Sequence, residues 1–503
     1  KKFYLSNQFA PVWSNGDKPL SMVDDFIKIL DNSYQDGLNP TDYHIVQLKA
    51  ILTKLKTDPE SKLANDLAGL DMTLSDAFFI YTSHLAFGKV NNKLNYPHWI
   101  ISKKSVNLMD MFNQVVQKQD IEDEITKLSP QYPQYIKLKQ QLEHYQNLAA
   151  AQESWTTIPY GPKLVVGIHD NRIHLLQKRL LVTGELKSIH ENGVFESHLL
   201  RAVIKFQTNN GLLADGVVGK GTIDALNVPL LQRIKQLELN MDRLRWLPTD
   251  LGNQYVIINI PDFSLKVVDN DKTVLEMPVI VGKDAGLQSC VLSSQITYLD
   301  INPYWYIPRS IAVHDILPKL RTNPHYLRKN DIKVFTAYGD NGSEINPDSI
   351  KWSKIAAPTF EYKLRQDPGP ENPLGRIKFI FQNECGIYLH DTSTPRLFKN
   401  TRRDFSHGCI RIGNPIELAT YLLAEKPGWD KEKILATIES EDNKIVTLPK
   451  PVNIHIIYAT AWVNESGQLQ FRNDIYAIDN VDFPVYLPKG LPKAKKFHLF
   501  ELK

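Results

Sequence analysis

The sequence predicts a multidomain α+β protein: a helical scaffold, a small three-helix module, and a β-rich domain carrying a mixed helix and loop insert that caps it. Three observations point there. At 503 residues the chain is about three times a typical domain of roughly 150 residues. Apolar residues recur with a helical period through the first half, and from residue 254 the period changes to two. Hydrophobic residues at 42% and charged residues at 23% are ordinary for a folded chain, so each part can bury a core.

Residues 1–160 are expected to form the scaffold. In DMTLSDAFFIYTSHLAFGKV, Leu74, Ala77, Phe78 and Tyr81 recur at i, i+3, i+4 and i+7, one helical face that needs a core. SMVDDFIKILDNS and SPQYPQYIKLKQQLEHYQNLAAAQES follow Ser or Pro start signals and carry no catalytic spacing. TTIPYGPKLVVGIH, residues 156 to 169, is dense in Pro and Gly and marks a boundary.

The three-helix module is expected over 161–230. Ile173, Leu176 and Leu180 share one stripe, and Leu199, Val203 and Phe206 another, closed by Gly211. ADGVVG then turns into a third short helix, GKGTIDALN. A linker helix is expected over 231–253.

The β-rich domain is expected over 254–480, with a tail over 481–503. QYVIINIPDFSLKVVDNDKTVLEMPVIVGK alternates, is rich in β-branched residues, and breaks at the hairpin signal DNDK. Strand-like text returns in SSQITYLDINPYWYIP, GRIKFIFQ, GIYLHDT and PVNIHIIYATAWVNESGQLQFRNDIYAID. Between them lies the insert, 310–372, helical in SIAVHDILPKLRTN and turn-rich in YGDNGSEINPDS. An insert of that length beside catalytic strands reads as a lid.

Composition excludes some functions. With 59 basic against 56 acidic side chains, net charge +3, the chain is too balanced for a dedicated nucleic-acid binder. No apolar run approaches the roughly 18 residues that span a bilayer. The start KKFYLSNQFA lacks a signal peptide's apolar stretch, and an N-terminal anchor ahead of it is the sole membrane tie the reading allows. Three cysteines in so long a chain do not form a disulfide framework.

Cys409, in DFSHGCIRI, is the chemical focus. A nucleophilic thiol needs a neighbouring base or cation, because the thiolate attacks and a free Cys titrates near ~8.5. His407 lies two residues before it, Arg411 two after, and His390 ends the apolar strand GIYLH upstream. Gly408 leaves room for a carbonyl to approach backbone N–H groups. Cys290 and Cys385 fit small buried hydrophobes, although a disulfide from Cys409 to either stays open on sequence alone. A zinc site from His390, His407 and Cys409 lacks a fourth ligand at suitable spacing, so neither metal nor cofactor is expected.

The pattern His390, fifteen residues, then Ser406-His407-Gly408-Cys409-Ile410-Arg411 resembles the signature of the L,D-transpeptidase catalytic (YkuD) domain. NPLGRIKFIF, IYLHDT and PIELATYLL are similar to its flanking segments, in the same order. LQKRL and GVFESHLLRAVIKFQTNNGLLADGVVGKGTIDAL resemble the type 1 peptidoglycan-binding module. The large form of the enzyme resembles nearly the whole chain.

The resemblance implies that Cys409 attacks a tetrapeptide stem of peptidoglycan between its third and fourth residues, with His390 as base. His407 would orient and polarise the loop, Ser406 would hydrogen-bond a catalytic imidazole or cap the loop, and the amides of Gly408 and Cys409 would face the oxyanion. Tyr388, on the strand face of His390, together with Arg411 and Trp305, would contact substrate. A diaminopimelate side-chain amine would then accept the acyl group in a 3-3 crosslink, whereas water as acceptor would make a carboxypeptidase. Implied partners are donor and acceptor stems, a carbapenem adduct at Cys409 and cell-wall synthases, in a periplasmic or cell-envelope setting. The rival readings are a zinc-dependent peptidase and a non-catalytic wall-binding scaffold.

Overall fold

The computed structural model describes residues 2–480 apart from 58–62, 91–97, 101–103, 152–154, 285 and 340–341. The tail expected over 481–503 lies outside the described residues. The chain divides into two compact units, Lys1–Asp250 with Tyr458–Lys503, and Leu251–Ile457.

The first unit is mainly helical. Leu74, Ala77, Phe78 and Tyr81 lie on the helix Leu63–Phe87 and are buried as their spacing requires. They pack with Trp13, Phe26 and Phe112 in an aromatic core, where Trp13 stacks on Phe26 at 5.4 Å. The module forms its three helices, Arg172–Val182, Ser197–Asn209 and Lys220–Leu226. Their predicted stripes meet in one core, and Gly211 follows the second helix at φ +63°, a conformation glycine adopts without strain.

Two segments differ from the sequence expectation. Within 231–253, the helix Leu230–Leu244 is no mere linker. Its Ile234, Leu237 and Met241 pack against Tyr135, Leu138 and Leu142 of the helix Pro133–Ala150. The strand text after Ile457, read as part of the β-rich domain to 480, instead forms a hairpin, Ala461–Val463 with Leu469–Phe471. This hairpin joins that helical core through Ala461 and Phe471. Alternation alone marks a strand but does not say which core its apolar face enters.

The second unit is built on a sheet. Its strands are β1 (Gln254–Asn259), β2 (Ser264–Asp269), β3 (Lys272–Gly282), β4 (Val291–Ile301), β5 (Trp305–Ile307), β6 (Ile332–Phe335) and β7 (Glu344–Ile345). There follow β8 (Lys363–Gln366), β9 (Ile377–Phe381), β10 (Leu389–His390), β11 (Asp404–Ser406), β12 (Ile410–Ile412) and β13 (Lys444–Ile457). The DNDK turn holds Asn270 and Asp271 at φ +46° and +62°, the left-handed pair a two-residue hairpin needs.

Eight of these strands bond in the order β4-β9-β10-β12-β3-β2-β1-β13. Because β13 also pairs with β4, the sheet closes on itself and those strands have no free edge. Strand β11 runs along β3. The insert, together with β5 just before it, makes a separate sheet, β5-β8-β6-β7, with its own core of Ile316, Leu317, Leu320, Val334, Trp352 and Leu364.

Candidate active site

Register dictates which side chains meet. Lys378 of β9 pairs with His390 of β10 and with Asp300 of β4, and His390 pairs with Arg411 of β12. Side chains alternate along a strand, and directly paired residues share a face. Asp300, Lys378, His390 and Arg411 therefore form one polar row across four strands. The next residues, Leu299, Phe379, Leu389 and Ile410, point the other way and are 0% exposed. Tyr388 and Cys409, each two residues before a member of the row, lie on its face.

The cysteine loop is clamped from both sides. Ser406 Oγ accepts from the Gly408 amide at 3.1 Å and donates to the Cys409 carbonyl. Ser289 Oγ donates to the Gly408 carbonyl at 2.7 Å while accepting from the Gly282 amide at 2.9 Å. Gly408 sits at φ +111°, where a side chain would strain the turn. Cys409 emerges partly buried, with a free thiol.

Electrostatics within this cluster is asymmetric. Burial pushes the Cys409 thiol up, and the backbone and side chain of Tyr388, with the positive charges of Lys378 and Arg411, pull it partly back. Burial first, then the Arg411 guanidinium, lowers His390 to about 3. Hydrogen bonds with the backbone of Asp391 and Leu374 oppose that shift in part. Burial also lowers Lys378, against the opposing charge of Asp300. Its Nζ lies 4.0 Å from the Tyr388 ring centre, and the Tyr388 and His390 rings are 5.7 Å apart.

The remaining predicted residues fall elsewhere. Ser406 binds the loop backbone, and its recorded partners do not include an imidazole. The Gly408 amide, expected to face an oxyanion, is engaged by Ser406. His407 is turned to the insert, its Nε2 3.1 Å from Asp315 Oδ2. Trp305 belongs to the inserted sheet and packs against that core.

Cys290 and Cys385, read as separate buried hydrophobes, are joined in a disulfide. The pairing was hidden because 95 residues separate them and only the folding of β4 beside β9 brings their segments together. Sequence reasoning also missed Lys378, although the alternation in IKFIF sets it on the polar side, and Asp315, which nothing local connects to His407. Among the described residues, the group placed to share a cation is His190, Glu196 and His198 in the module; it includes none of His390, His407 or Cys409.

A thiol, an imidazole and two cations on one face of a closed sheet define a thiol-centred site suited to acyl chemistry. Residues 253–446 match the L,D-transpeptidase catalytic domain (YkuD). Residues 169–226 match the family described as "Putative peptidoglycan binding domain", and residues 1–142 the family described as "Scaffold domain". The chain thus carries a YkuD L,D-transpeptidase domain together with a peptidoglycan-binding-type module.

A Haemophilus influenzae protein described as "Putative L,D-transpeptidase" is 31% identical over 245 residues, 49% of this chain and 48% of that protein. The chain thus spans about half the length of this curated relative. Among solved structures, an L,D-transpeptidase from Stackebrandtia nassauensis is 14% identical, covering 59% of this chain and 96% of its own, with a TM-score of 0.23. Another from Xylanimonas cellulosilytica is also 14% identical, covering 59% and 98%, with a TM-score of 0.19. Scores this low do not establish a shared fold.

Proposed function

We propose that the protein is a peptidoglycan L,D-transpeptidase of the cell envelope, with Cys409 as nucleophile. The sulfur attacks the carbonyl between the third and fourth residues of a tetrapeptide stem. The C–N bond breaks, D-alanine leaves carrying the proton, and the acyl half stays on sulfur as a thioester. The side-chain amine of a diaminopimelate on a second stem then attacks, releasing the thiol and forming a 3-3 crosslink.

The low proton affinity of His390 and the raised thiol make the resting pair neutral on both sides. Proton transfer from Cys409 to His390 therefore accompanies attack rather than preceding it. Lys378 and Arg411 stabilise the developing negative charge on sulfur or hold a stem carboxylate. The Cys409 amide faces the oxyanion, with Gly408 held back unless Ser406 releases it. The module engages the same polymer.

One observation carries this reading: Cys409 shares a single sheet face with His390, Lys378, Arg411 and Tyr388, within a segment matched to this domain family. Intact-mass measurement after incubation with a carbapenem tests it. The wild-type chain should gain one covalent adduct, localised to Cys409, and Cys409→Ala should gain none. Cys409→Ala should likewise make no 3-3 dimer from tetrapeptide muropeptides. An unchanged product pattern in that variant would refute the assignment and favour a non-catalytic scaffold.

A further inference from the structure

The first unit holds a polar cavity that the proposed reaction leaves unused. Its volume is about 180 Å³, and it is walled by the helix Pro133–Ala150, the three-helix module and the Ala461–Phe471 hairpin. That compares with roughly 150 Å³ for an apolar cavity that admits benzene, so a single sugar ring fits. Two arginines line it, Arg179 at 1% exposed and Arg233 at 8%.

Their hydrogen bonds are unevenly met. Arg179 donates to the carbonyls of Leu226 and, at 2.8 Å, Thr156. Its Nε is buried without a partner among the described residues. Arg233 donates to Gln236 Oε1 at 3.0 Å, Asn210 Oδ1 at 2.9 Å and the Ala225 carbonyl at 3.2 Å. Every recorded partner is a neutral oxygen. Each guanidinium also lies over an aromatic ring at 4.0 Å, Arg179 over Trp155 and Arg233 over Phe471.

Burial draws both arginines down to about 10, and the charge of Arg233 adds to the shift at Arg179. Capping the last carbonyls of the helix Lys220–Leu226 accounts for some of these bonds. It does not account for two buried like charges lining one cavity. Lys205 adds a third cation to the lining, against one carboxylate, Glu185. Thr183 and Asn209 donate hydrogen bonds to that carboxylate.

We propose that this cavity binds a small ligand bearing an oxyanion, a carboxylate or phosphate on a body no larger than a sugar ring, through Arg179, Arg233 and Lys205. The oxyanion supplies the missing countercharge. The two guanidiniums give it planar donors, the groups best suited to carboxylate and phosphate. The site lies in the other compact unit from Cys409 and does not depend on the reaction proposed there.

Calorimetric titration of the full chain with glucuronic acid, inorganic phosphate and glucose tests the proposal. The acid or phosphate should bind and glucose should not. Binding of the sugar acid identifies a carboxylate ligand, and binding of phosphate alone a phosphate ligand. Lys205→Gln should weaken the binding about fivefold, and Glu185→Gln should strengthen it by a similar factor, as expected for one charge near a bound anion. These variants leave both capping arginines in place. Failure of both anions to bind, or equal affinity in all three proteins, would overturn the proposal.

Discussion

His390 and His407 flank Cys409 in surroundings of opposite character. His390 ends β10, is 4% exposed, and has Lys378 and Arg411 as its strand neighbours. The His407 side chain is 38% exposed, and its Nε2 lies 3.1 Å from Asp315 Oδ2 of the insert. Packing fixes the first ring in orientation and keeps it neutral; a single exposed contact tethers the second. Where both groups are charged, an exposed pair contributes about 0.2–1 kcal/mol. A general base must be unprotonated before the reaction, and burial favours that state at His390. The exposed ring is better suited to joining the cysteine loop to the insert.

The strongest way to break this contrast is to remove each ring in turn. His390→Ala should slow carbapenem acylation of Cys409 by about 100-fold or more, the usual scale for a lost general base. His407→Ala should slow it by less than about tenfold. Stopped-flow or time-resolved mass measurement separates the two, and equal losses would abolish the distinction.

The pH dependence sharpens it next. A thiol pushed up by burial loses thiolate about tenfold for each pH unit below its pKa. Alkylation of the resting enzyme by iodoacetamide should therefore rise steadily from about pH 5 into the alkaline range. His390, held at about 3, adds no inflection near the usual imidazole value of about 6.5. A plateau beginning near pH 5 would instead reveal a standing thiolate–imidazolium pair.

The smallest effect concerns the tether. Asp315→Asn should change acylation by no more than about fivefold, matching a surface pair of up to about 1 kcal/mol. High salt should reproduce part of that change in the wild-type protein. A loss as large as that of His390→Ala would mean that the insert organises the site rather than touching it.

Much of this was readable in the chain itself. Period-two alternation located the strands and put Tyr388 on the face of His390, and the glycine and polar residues around Cys409 separated it from the two other cysteines. Lys378 was legible by the same rule: it is the polar position in IKFIF, whose Ile377, Phe379 and Phe381 are buried. What stayed hidden was tertiary. The Cys290–Cys385 bridge and the Asp315–His407 pair join residues far apart in sequence, and no local periodicity encodes such encounters. The hairpin after Ile457 was recognisable as strands, yet its core is helical, and a strand's apolar side does not announce its partner.

The pairing of β10 with β12 rests on two residue pairs, Leu389 with Ile410 and His390 with Arg411. A slip of one position would send His390 into the space filled by Leu389 and carry Leu389 out among the cations. The segment joining these strands must therefore hold its spacing to the residue at each end, where the short strands dock. Insertions that lengthen the protein over evolution are to be sought in the middle of that connection, around 395–400, and in the inserted sheet, whose separate core can absorb them.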